Sequence, residues 1–127
     1  MGMGNFLIAL RVTPLLADRF MEQLTNLYLE CANRYLDQVS PFLPVFTYWD
    51  DVAGQNSLLI SREHCRQQIK PKQRRLVEAT RKKTRAKLFY HGCGAMYNLI
   101  PDLIEVGFDI LNPVRSGIAM LSLKGVR

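Results

Sequence analysis

The chain has 127 residues, 48% of them apolar and 22% charged, with a formal net charge of +6. That length and apolar content fit one ordinary globular domain and exclude disorder of the whole chain. No apolar run nears the ~18 residues that a membrane-crossing helix needs, so no membrane partner is expected.

Residues 1–10 are apolar but short, and they lack the basic start and small-residue cleavage pattern of a secretory signal. From Pro14 to Val39 the residues Leu16, Phe20, Leu24, Leu27, Tyr28, Cys31, Tyr35 and Val39 recur at three- and four-residue steps. This predicts a long amphipathic helix with that stripe packed in the core, capped by Thr13 and started by Pro14. Ser40-Pro41 ends it.

Val45 to Trp49 is a β-branched and aromatic run with bulk on both faces, which predicts a buried strand closed by Asp50-Asp51. Residues 52–60 read as a loop. Ser61 caps a following helix, and Pro71 predicts a break in it before a second helix over 71–84. Residues 86–90 predict a second strand leading into the tight turn His91-Gly92-Cys93-Gly94. Residues 98–106 predict a helix closed by Gly107, and residues 109–112 a third strand. Helices alternating with strands imply an α/β architecture with parallel strands joined by crossover helices.

Eleven Lys or Arg lie between Arg62 and Lys87, against Glu63 and Glu78 alone. Ile69, Leu76, Val77 and Thr80 share one helical face there, so the charges read as the solvated opposite face. No aromatic residues interleave with them as a base-stacking platform requires, so no nucleic-acid partner is expected. Three cysteines at wide spacing make no disulfide framework, and a reducing cytoplasm is the expected setting. Cys31 and Cys65 fall on helices, where a small buried hydrophobe is the default. His64 sits on an exposed helical turn and is assigned no function.

In α/β proteins the active face lies at the carboxyl ends of the strands. Two sets of residues fall there. Asp50 and Asp51 can act as acid, base or substrate anchor, or can simply cap a strand-end turn. His91 and Cys93, two apart after a strand, can converge on one ion, and imidazole with thiolate favours zinc. The alternative is a glycine-rich turn with an incidental cysteine. No dinucleotide-type glycine loop, Walker loop or serine nucleophile elbow is present.

The stretch His91-Gly-Cys-Gly-Ala-Met-Tyr-Asn-Leu-Ile-Pro-Asp-Leu-Ile-Glu-Val-Gly-Phe-Asp-Ile-Leu-Asn-Pro-Val114 resembles the uroporphyrinogen decarboxylase superfamily. The resemblance is closest to its branch of cobalamin-dependent methyltransferases. Asp50-Asp51-Val-Ala-Gly-Gln-Asn-Ser-Leu-Leu-Ile-Ser61 and Ile69-Lys70-Pro71 are similar to the segments that precede that stretch in the family.

The resemblance runs from about Leu7 to Val114 and implies a partial TIM-type (β/α) barrel, residues 1–115 forming a central slice with about three parallel strands. It further implies zinc held by His91, Cys93 and a distant cysteine on a later strand, with a methyl-corrinoid protein and a small thiol as partners. Zinc would hold the acceptor thiol as thiolate. The decarboxylase branch, which implies a tetrapyrrole ligand and no metal, is the alternative, and a non-catalytic remnant is a third. Asp50 and Asp51 are the candidate catalytic residues. Residues 116–127 depart from the family and read as an aberrant tail, as from a truncated reading frame. The slice is therefore expected to be inactive alone and to self-associate through open sheet edges.

Overall fold

The computed structural model describes residues 2–112. The tail set apart at 116–127 lies outside them. Helix α1 (Met3–Val12) and helix α2 (Pro14–Val39) lead to strand β1 (Val45–Trp49). A helical stretch follows: a single turn α3 (Arg62–His64), a π-helical segment (Cys65–Ile69) and α4 (Lys70–Lys83). Strand β2 (Lys87–His91), a 3₁₀ turn (Tyr97–Leu99), α5 (Ile100–Val106) and β3 (Ile110–Asn112) complete the order. The three strands form one parallel sheet in the order β1-β2-β3. The fold is thus α/β, with helices on the crossovers. No helix among the described residues is long and apolar enough to cross a membrane.

One sheet face builds the core. Leu88 and Tyr90 are fully buried with Leu99, Leu103, Val106 and Phe108 around them, and Phe46 and Tyr48 pack against the cluster. Tyr48 holds α4 to β1 through its hydroxyl, which donates to the Leu76 carbonyl at 3.2 Å and also bonds Thr80. The alternate residues Val45, Thr47, Trp49, His91, Ile110 and Asn112 stay exposed or half-buried on the other face.

Several expectations need correction. The apolar first residues form α1, which the sequence pattern did not single out. The α2 stripe does not face the core: Leu16, Phe20, Leu27, Tyr28, Cys31 and Tyr35 are exposed, and Ala17, Thr25 and Leu36 are buried instead. The buried row lies one residue along, about 100° around the helix at 3.6 residues per turn. The small Ala17 and Thr25 belong to the side that approaches α1 and α4. Thr13 makes no side-chain capping bond, although Pro14 does open the helix.

Pro71 causes no break. The chain stays helical because the preceding turn widens, with the Lys70 amide donating to the Cys65 carbonyl five residues back. Such a π turn relieves the clash between a proline ring and the carbonyl four residues earlier.

The basic segment is also not simply solvated. Arg62, Arg66 and Lys70 all reach Asp102, Arg74 reaches Glu105, Arg75 reaches Glu22, and Lys72 is itself buried against Asp18.

Candidate functional site

The site is assembled where β1, β2 and β3 end. Parallel register places Trp49, His91 and Asn112 in one row across the sheet, each the last residue of its strand. Alternation turns all three side chains to the open face. The Trp49 and His91 rings lie 5.3 Å apart, tilted by 43°. On the other side of His91, its Nδ1 stands 3.2 Å from Asn112 Oδ1. The remaining ring nitrogen, Nε2, is 3.8 Å from Cys93 Sγ. The strand containing His91 ends one residue later than the sequence indicated, so His91 belongs to the sheet and Cys93 to the turn.

Two glycines make that turn feasible. A Cβ at Gly92 would come within 2.7 Å of the Asp50 carbonyl oxygen and 2.9 Å of Met96 Sδ and Tyr90 Cε1. Gly94 has φ +98°, and a Cβ there would lie 2.3 Å from the Gly54 carbonyl oxygen. Only glycine suits a left-handed backbone packed this closely. The 52–60 loop thereby seats on the turn, with the Ala95 amide donating to the Gly54 carbonyl at 2.9 Å.

The two aspartates diverge. Asp51 Oδ1 accepts the Cys93 backbone N–H at 2.7 Å and fixes the cysteine's place above the strand. Asp50 turns back toward the helices, where its Oδ2 accepts from Gln73 Nε2 at 2.9 Å. Burial pushes the Asp50 carboxyl up, and the neighbouring Asp51 charge adds to this, against the opposing Gln73 bond. Its backbone carbonyl accepts the Tyr90 hydroxyl at 2.8 Å.

The structure therefore gathers Asp51, His91 and Cys93 at one rim and separates the Asp50 carboxylate from them. Trp49, Asn112 and Gln73 escaped the sequence reading. Trp49 and Asn112 share a positional signal, since each strand's last residue falls in the same row once the strands are parallel, whereas Gln73 lies on α4 and carries none.

The remaining cysteines are apart from the rim set. Cys65 is buried, and burial with nearby Asp50 and Asp102 pushes its thiol up to about 11. Cys31 is exposed on α2, contrary to the buried position expected. His64 accepts or donates at Nδ1 against Ser61 Oγ at 2.7 Å, and the same oxygen accepts the His64 backbone N–H, as a helix cap should.

Zinc at ~2.3 Å from sulfur and ~2.05 Å from nitrogen, in tetrahedral geometry, sets the two donors about 3.6 Å apart. The observed 3.8 Å between Cys93 Sγ and His91 Nε2 is within a few tenths of that span. Two donors are nevertheless fewer than a resident zinc takes. Among the described residues no group of three or more His, Cys, Asp or Glu is arranged to hold a metal ion. The spacing of the pair matches two positions of a tetrahedral shell.

Compared with known proteins, the chain matches no family model, no curated protein and no solved structure.

Proposed function

We propose that this chain is a slice of a uroporphyrinogen decarboxylase-like (β/α) barrel, of the zinc-dependent corrinoid:thiol methyltransferase kind. His91 and Cys93 would supply two of the metal's ligands. The observation that carries the reading is the 3.8 Å spacing of a ring nitrogen and a thiol at the carboxyl ends of parallel strands. That is where barrel enzymes keep their chemistry.

When bound, zinc would hold a substrate thiol in its nucleophilic, ionised form. The residues of this chain have separate tasks. Cys93 and His91 offer donors, Asp51 anchors the Cys93 amide, and Trp49 covers the imidazole face. Asp50, set back from the rim and raised by burial, is the candidate acid or base, a role that suits a carboxyl displaced from its ordinary range. The completing donor must come from outside the described residues, so zinc binding by this chain alone is expected to be weak.

Zinc titration followed by calorimetry, on the chain and on Cys93→Ser, tests this. Weak binding that Cys93→Ser abolishes supports the reading. Equal binding in both would make His91-Gly92-Cys93 a structural turn.

A further inference from the structure

We infer that Asn112 is a positioning residue of the rim, which fixes the tautomer of His91 so that Nε2 presents its lone pair to Cys93 Sγ. The inference takes its functional meaning from the reading of His91 and Cys93 as ligands.

The atom that faces His91 Nδ1 across 3.2 Å is the Asn112 side-chain oxygen. An amide oxygen only accepts, so with this oxygen as its partner Nδ1 carries the proton. A neutral imidazole has one N–H, and Nε2 is then left with a free pair aimed at the sulfur 3.8 Å away. Without a partner, an imidazole favours the opposite form, with the proton on Nε2. That form would point an N–H at the thiol and block the nitrogen as a donor. Ligand histidines elsewhere take their orientation from such a second contact on the far ring nitrogen.

The rest of the rim holds the geometry. Register pairs His91 directly with Asn112, and the Gly92 amide donates to the Asn112 carbonyl at 3.1 Å, so backbone bonds fix both residues. Trp49 lies tilted beside the ring on the side away from β3. Asp51 does for Cys93 what Asn112 does for His91, through the backbone N–H at 2.7 Å. The two donors are thus held independently, one from β3 and one from the end of β1.

The chain has only two histidines, so ¹⁵N spectroscopy of the imidazoles in the whole chain resolves both. The measurement is made in mildly alkaline solution. The wild type and Asn112→Asp, which keeps an acceptor, should show the proton on Nδ1 of His91. Asn112→Leu, which has none, should move it to Nε2. His64 should be unchanged in all three, which reports that the fold persists. A proton on Nε2 in the wild type, or on Nδ1 in Asn112→Leu, would overturn the inference.

Zinc affinity in the same three proteins gives the second readout. Asn112→Leu should weaken it by about tenfold or more, and Asn112→Asp should retain it. A switched tautomer with unchanged zinc affinity would also overturn the positioning role. If no variant binds zinc at all, wild type included, the metal reading fails, and the tautomer alone decides the fate of Asn112.

Discussion

The two flanks of the sheet are built to different standards. On the α4–α5 side, Leu88, Tyr90, Leu103 and Val106 are buried, and the surface above them is laced with ion pairs centred on Asp102. On the α2–β1 side, Tyr28, Tyr35 and Trp49 stay exposed beside a groove of about 500 Å³ that Phe46, Tyr48 and Phe108 also line. The first flank buries its large apolar side chains and pairs its charges. The second leaves an apolar helix face largely exposed, with Tyr35 against Phe46 and Phe20 against Phe6 as its ring contacts, and ends in the β1 strand edge. The rim residues His91 and Cys93 grow from β2, the central strand, so they stand on the well-packed part of the molecule.

Substitutions can sharpen this contrast. The largest effect should come from Leu88→Ala, which empties a fully buried position of the packed flank and should cost about 3–4 kcal/mol in chemical denaturation. Gly94→Ala should cost nearly as much, about 3 kcal/mol, since the added methyl meets backbone oxygens and φ is positive. It should also dislodge the 52–60 loop from the rim.

Asp102→Asn should cost about 2 kcal/mol, because the side chain is buried while Arg62 and Arg66, two of its three partners, remain partly solvated. Leu27→Ala, on the open α2 face, should change stability by less than about 0.5 kcal/mol in dilute solution. A larger, concentration-dependent cost would show that another copy covers that flank.

The two aspartates Asp50 and Asp102 make opposite predictions with pH. Burial alone raises the Asp102 carboxyl, but the bonds from Lys70, Arg66 and Arg62 outweigh it and hold it well below the ordinary carboxylate range. A depressed folded value gives stability that is present above the unfolded pKa and lost as pH falls through the folded one. Asp102→Asn should therefore flatten the acid limb of the stability curve, below pH ~4.

Asp50 is raised, so its ionised form is tolerated at a cost near neutrality, and the fold gains from protonating it as the solution turns acidic. Asp50→Asn keeps an acceptor for Gln73 and removes the charge. It should be neutral or stabilising by up to about 1 kcal/mol at pH 7. Urea titrations at several pH values check both.

Much of the fold was readable because it depends on local pattern. The run Val45–Trp49, the helix Pro14–Val39 and the left-handed Gly107 lie where composition and periodicity put them, although the strand is packed on one face only, with Val45, Thr47 and Trp49 exposed, because no layer covers its other side among the described residues. What escaped depends on contacts between distant segments. The rotation of α2 is decided by what approaches it, and a stripe of large apolar residues marks its core side only if that side is covered. Helix α1 has little polar counterface to mark its period. The π turn is a response to Pro71, and sequence rules treat proline as a break.

At the rim, spacing alone put His91 and Cys93 within reach of each other and left open a glycine-rich turn with an incidental cysteine. The bonds that orient them run from Asp51 and Asn112 across 42 and 21 residues of sequence. No local rule reaches that far, and only strand register brings those partners to the same row.

Cobalt(II) titration of the reduced chain is the most direct test of the rim as a metal half-site, because a thiolate–cobalt band in the near ultraviolet reports Cys93 itself. A weak band is expected that saturates only at excess metal, disappears in Cys93→Ser and His91→Ala, and persists in Cys31→Ser and Cys65→Ser. A band of equal strength in Cys93→Ser, or no band in the wild type at any metal concentration, would contradict the half-site.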